Sequence, residues 1–476
     1  MENSKLISIL KCLTNKQVKQ LRDFIASPYF NKKEEVLALF DTLIRFYPDF
    51  EAKLVEKEAV FSLTRPEEPY NEKEMGYWMS DLVKLIEQFI VTEEVLQQPT
   101  AQFSHLLKTY LKWNLEKPFQ RTMKNAFSYL KTLPYQDSQY YYHEFLLKEQ
   151  EVAFFDKQKV HSHDESLQEA IDNLDIYYLS QKLKYSCEIV NRLNMLTSDY
   201  RLKLLDEILT YLDNEPLNHI PPVAIYQSIL LCLRQPDVET HFINLKDLLD
   251  KHATIFDPDE ARGMYLYAIN YCVGKINRGN SQYVSELFEL YRRLLENRII
   301  FENKYLSPWS YMNIVVVGSR NQEFDWTENF IHEYHTSLAP QFRENAYNYN
   351  LAYLYYIQKK YGKALKLLNE VQFDDVFYYI EAKSLLLRLY YELDETEPLL
   401  ALCDAFKIYL RRNKLIAENK REMYLNFIRF VSKLIKIQKG KNELLLETQQ
   451  LIKNTKLLVN AKWLHEKIEQ KMKKQR

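Results

Sequence analysis

The sequence predicts an all-α protein made of short helical hairpins, and three observations carry that prediction. The chain has 7 glycines in 476 residues, where an average soluble protein of this length carries about 33. Strand-rich folds and phosphate-cradling enzymes need glycine at turns, bulges and points of ligand approach. The 15 prolines act as punctuation, and between them apolar residues recur at helical spacing. Hydrophobic residues make up 46% and aromatics 14% of the chain, with 36 Tyr and 25 Phe, so there is ample apolar surface to build a core.

Residues 1–98 are expected to form an N-terminal helical unit. Thr14 is placed to cap a helix over Asn15–Ala26, where Val18, Leu21 and Ile25 repeat on one face, and Ser27-Pro28 ends it. A second helix is expected from about Lys32 to Phe46 and a third from Glu72 to Glu94. Residues 99–306 continue as degenerate helical hairpins. Between Leu167 and Leu196, for example, Leu174, Tyr178, Leu183 and Ile189 share an apolar face. Connections are short and polar, as at Asp213-Asn214-Glu215-Pro216, Asp257-Pro258-Asp259 and Arg278-Gly279-Asn280. The proline-free runs 135–215 and 399–476 are expected to hold the longest helices.

Within residues 307–406 the hairpins take on a recognisable form. From Asn345 onward, Leu351 and Ala352 are followed by Tyr355, then by Tyr361, Ala364 and Leu368 after a Lys359-Lys360-Tyr361-Gly362 turn. This segment resembles the tetratricopeptide repeat, a helix-turn-helix unit of about 34 residues with large residues at fixed places and small ones where its helices cross. Upstream, Ile314, Phe324 and Ile331 keep the large positions while Val315 and Thr327 replace small ones. Downstream, Leu386, Tyr390 and Leu402 fit, and Pro398 stands where alanine is expected. The resemblance implies an elongated α-solenoid whose concave surface binds protein segments. It places Tyr349, Tyr353 and Tyr356 along that groove. The family's Lys and Asn set for clamping a C-terminal carboxylate has no counterpart there, so an aromatic groove is expected.

Composition also bounds compartment and chemistry. The 5 cysteines are widely separated and never form CxxC, which speaks against a disulfide framework or thiolate zinc site and for a reducing cytoplasm. Met1 to Lys11 lacks a signal-peptide core, and no run approaches the 18 or so apolar residues of a membrane span, so no membrane partner is expected. His332-Glu333-Tyr334-His335 is one residue short of HExxH, and His161-Ser162-His163-Asp164 precedes a helix near Glu165. Both read more simply as exposed helix and loop histidines than as metal ligands. With GxSxG, GxxxxGK[ST] and GxGxxG all missing, the expectation is no catalytic residues, no metal and no cofactor. Tyr140-Tyr141-Tyr142 and Phe377-Tyr378-Tyr379 are expected to pack between helices rather than to stack on bases.

Net charge is formally −1, but residues 407–476, a basic C-terminal helical cap, hold 19 Lys and Arg against 6 Glu and no Asp. The leading functional expectation is a non-enzymatic scaffold or adaptor that binds protein partners. The alternative is a nucleic-acid-associated protein, with Arg411, Arg412, Lys414, Lys420 and Arg421 contacting phosphates or an acidic partner. An ordinary amphipathic helix, with Tyr424, Phe427, Ile428, Val431 and Leu434 turned inward, has the same pattern.

Overall fold

The computed structural model describes residues 1–158, 165–194, 199–371, 376–438 and 441–473. The chain is all-α, and it divides into two compact units, Met1–Tyr178 and Leu179–Arg476. Among the described residues no helix is long and apolar enough to cross a membrane.

In the first unit α1 (Lys5–Cys12), α2 (Asn15–Ala26), α3 (Glu34–Ile44) and α4 (Lys57–Thr64) pack around α5 (Glu72–Gln97). Leu6, Leu21, Phe40, Phe61 and Ile86 are buried together at the centre. Thr14 caps α2 as its sequence predicts: its hydroxyl accepts from the Gln17 amide, and the Gln17 side chain accepts from the Thr14 amide. After α2, the Asn31 side-chain amide donates to the Ile25 carbonyl at 3.1 Å and fixes the turn. A second core forms where α6 (Pro99–Lys112), α7 (Glu116–Leu130) and α8 (Ser138–Gln158) meet, with Phe119 and Phe154 stacked at 4.5 Å between ring centroids. α9 (Glu165–Leu193) begins in this unit and ends in the next.

The second unit continues through α10 (Leu205–Asn214), α11 (Pro221–Arg234), α12 (Glu239–His252), α13 (Pro258–Asn277) and α14 (Tyr283–Glu296). The next helices are α15 (Pro308–Arg320), α16 (Phe324–Tyr334), α17 (Arg343–Ile357), α18 (Tyr361–Glu370), α19 (Val376–Glu392) and α20 (Thr396–Arg412). The last three are α21 (Glu418–Lys436), α22 (Asn442–Asn454) and α23 (Ala461–Lys473). From α11 onward each helix packs on the next, and alternate helices also touch: α11 on α13, α15 on α17, α17 on α19 and α19 on α21. That pattern is a helical stack, in which each hairpin buries its apolar face against its neighbours. Connections follow helix-end chemistry. Asp257 caps α13 with Pro258 in the first turn, and Gly279 takes φ +96° to leave the helix.

The segment resembling a tetratricopeptide repeat forms the α17–α18 hairpin. Ala352 and Ala364 are fully buried, and their small side chains let the two helices approach closely. Lys359 reverses the chain at φ 60°, and the Lys360 amide donates to the Tyr355 carbonyl at 2.8 Å. One small feature departs from the all-helical expectation. β1 (Phe301–Glu302) and β2 (Tyr305–Leu306) pair through a tight turn whose central residues, Asn303 and Lys304, both have positive φ.

Upstream, the small residue at the crossing is Gly318 on α15 rather than the residue at 327. A Cβ on Gly318 would collide with the Thr327 hydroxyl, which is buried and donates to the Glu323 carbonyl at 2.6 Å, and would come within 3.3 Å of the Phe288 ring. Gly318→Ala is therefore expected to destabilise the protein by about 1–3 kcal/mol, although alanine favours a helix interior elsewhere. A lowered urea midpoint checks this, and an unchanged or raised midpoint contradicts it.

Candidate functional site

Two clefts open side by side along α13 in the second unit. The larger, about 500 Å3, lies among α9, α11 and the first half of α13. The smaller, about 210 Å3, continues among the same helices toward the α13 C-terminus. Asn191, Tyr267 and Asn270 line both. The two hollows therefore adjoin at those residues and together form a trough along α13.

The floor of the larger cleft is a charged and hydrogen-bonded knot. The Glu260 carboxylate accepts from the Tyr226 hydroxyl at 2.6 Å and from the Lys184 ammonium at 2.8 Å. Burial, with the Glu260 charge added, pushes the Tyr226 phenol far above its ordinary range, so it remains a donor. The Cys187 thiol donates to the Tyr226 carbonyl at 3.3 Å, and burial raises it well above an ordinary thiol. In the smaller cleft, the Tyr271 hydroxyl donates to the Pro236 carbonyl at 2.9 Å while its ring stacks on Phe242 at 4.8 Å. The Lys275 ammonium lies 5.5 Å from the Tyr271 ring centroid and 3.6 Å from a Glu239 oxygen. Arg278 pairs with Asp237 at 3.1 Å, and Arg192 with Glu188 at 3.6 Å. Burial moves Cys232 and Tyr267 up to about 12.

These thiols and phenols thus stay protonated at neutral pH, and the cations and carboxylates compensate one another. The trough offers amide, hydroxyl and aromatic contacts without a strong net charge. Sequence reading did not single it out. The legible signal was Gly263 and Gly274, two of the chain's few glycines, set inside a helix and both lining the trough.

The residues expected to line an open groove lie elsewhere. Tyr349, Tyr353 and Tyr356 are buried, at 3%, 8% and 7% exposure, so they do not present a surface to a partner. The physical reason is that α17 is packed among α15, α16, α18 and α19, with α19 lying against Tyr349 and Tyr356. The Tyr349 ring meets Tyr378 edge-on at 5.5 Å, and Tyr356 lies 4.8 Å from the Arg388 guanidinium. Tyr378 is buried with its hydroxyl donating to the Pro308 carbonyl at 3.0 Å, and Tyr142 packs against Tyr177 at 4.9 Å. The Phe377 side chain lies outside the described residues.

The basic residues divide. Arg411, Arg412 and Lys414 are exposed, and Lys420 lies 5.7 Å from the Trp309 ring centroid. Arg421 is not available as a phosphate contact in this arrangement. Its guanidinium donates to the Leu410, Ile416 and Asn413 carbonyls at 2.9, 3.0 and 3.3 Å, tying down the end of α20 and the loop that follows. Further along, Lys467 is buried against Glu392 at 2.6 Å, and Lys471 donates to the Leu434 and Ile437 carbonyls at the end of α21. Tyr424, Phe427, Ile428, Val431 and Leu434 are buried.

Of the histidines, His332 shares a hydrogen bond with the Tyr347 hydroxyl at 2.9 Å, and His335 donates to the His332 carbonyl at 2.7 Å. His161-Ser162-His163-Asp164 lies outside the described residues. Among the described residues no three His, Cys, Asp or Glu side chains are grouped to hold a metal ion. Compared with known proteins, the chain matches no family model, no curated protein and no solved structure.

Proposed function

We propose that the protein is a non-enzymatic scaffold or adaptor of the tetratricopeptide-repeat-like class, which binds segments of partner proteins on its stacked helices. The observation that supports this most directly is the trough along α13, where charges are mutually compensated and the surface left for a ligand is amide and aromatic. Such a surface suits recognition by shape and hydrogen bonding. The cytoplasm is the proposed compartment, in keeping with five unpaired cysteines, four of them buried. The competing reading is a nucleic-acid-associated protein acting through Arg411, Arg412 and Lys414. The engagement of Arg421, Lys467 and Lys471 in internal contacts weighs against a continuous basic stripe.

Affinity capture of the full chain from a lysate of its own cells, at low salt and with or without nuclease, tests the choice. Discrete proteins retained after nuclease are the expected outcome. Recovery of nucleic acid, with loss of bound protein on nuclease treatment and steep weakening by salt, would overturn it.

A further inference from the structure

We infer that the adjoining clefts along α13 seat an extended peptide segment of a partner protein, running parallel to the helix across Asn191 and Asn270. The inference rests on the scaffold reading above and deepens it by naming the seat and the form of the ligand. Three observations lead to it. First, the two hollows share Asn191, Tyr267 and Asn270, one taking the first half of α13 and the other its second half, so they lie end to end along the helix. Second, the polar groups at the junction are two carboxamides, each offering both a donor and an acceptor, as a peptide group does. The charged groups around them are already engaged: Lys184 with Glu260, Arg192 with Glu188, Lys275 with Glu239 and Arg278 with Asp237.

Third, Gly263 lines the larger cleft and Gly274 the smaller, and a Cβ built on either meets nothing within 4 Å. Packing within the protein therefore does not require glycine at these two places, and the interior of a helix disfavours it. What the absence of a side chain provides is close approach to the helix backbone from the trough. The two stand eleven positions apart on the helix, about 16 Å at the helical rise. That length matches about five residues of extended chain, whereas a compact small molecule would reach only one of the two glycines.

The test uses the full-length protein and a displayed library of random peptides about twelve residues long, enough to overrun the trough at both ends. Peptides enriched on the wild-type chain are expected to lose affinity roughly tenfold or more on the Gly263→Leu/Gly274→Leu variant and on the Asn191→Ala/Asn270→Ala variant. A Gly263→Ala/Gly274→Ala variant is expected to melt at the same temperature as wild type or higher, and an unchanged melting temperature of the two blocking variants themselves separates blocked binding from damaged folding. Enriched peptides whose affinity is unmoved by both blocking variants would overturn this seat while leaving the scaffold reading in place. Failure to enrich any peptide would also overturn it, and so would occupancy of the clefts by single compact molecules from a fragment collection. Loss of the scaffold reading itself would show separately, as nuclease-sensitive capture.

Discussion

Replacing Lys467 by alanine is expected to destabilise the second unit by about 3–5 kcal/mol, the range seen when one partner of a buried ion pair is removed and the other is left uncompensated. The side chains of Lys467 and Glu392 are 8% and 13% exposed, with 2.6 Å between charged atoms. Glu392 also accepts from the Trp463 indole at 3.0 Å, and Lys467 donates to the Gln470 amide oxygen at 3.1 Å. The carboxylate left behind would keep the Trp463 donor but lose its cation in a site that is largely shielded from water. The measurement is urea unfolding followed by a signal from the second unit. The double variant Lys467→Met/Glu392→Gln should recover much of the loss, because the neutral amide needs no counter-charge and its oxygen still accepts from the Trp463 indole. A Lys467→Ala variant with an unchanged midpoint would show that the pair is solvated.

The second large effect is at Tyr349. Truncation to alanine should cost about 3–5 kcal/mol, the range for deleting a large buried aromatic, because the side chain is 3% exposed and packed edge-on against Tyr378. Tyr349→Phe keeps the ring and should cost less than about 1.5 kcal/mol. This outcome differs from what a groove-lining tyrosine would give, which is lost partner binding on an intact fold. Circular dichroism melts of the two variants decide between them. An alanine variant as stable as wild type would return Tyr349 to the surface.

How far the sequence reached can be read from particular elements. The α2 boundaries follow from Thr14 and Pro28, and the α17–α18 hairpin from Leu351, Ala352, Tyr355 and Ala364, because caps and small-large patterns are local. α1 and α4 escaped notice since 8 residues give only two turns of periodicity. The proline-free run 135–215 holds α9, the longest described helix at 29 residues, but α5 with 26 fits between Pro69 and Pro99, and the described residues of 399–476 hold no helix longer than 19. Lack of proline permits length without dictating it. Tyr349, Tyr353 and Tyr356 illustrate a deeper limit. Spacing shows that residues share a face, but only the placement of the neighbouring helices decides that this face is covered. Arg421 and Lys467 make the same point for charge, since a basic residue that caps carbonyls and one that faces solvent look alike in sequence.

The attachment of α23 has a consequence for how the stack breathes. In an array held by neighbour contacts, the last hairpin ordinarily frays first, and its amides exchange with solvent far faster than those inside. Here α23 is tied back across some seventy residues of chain. Trp463 and Lys467 reach Glu392, and the Asn460 amide just before the helix donates to the Ser384 hydroxyl at 2.9 Å. Opening the end then requires breaking contacts with the interior helix α19. The amides of α23 should therefore exchange on the same slow timescale as those of α19, so that the two helices open as one cooperative block.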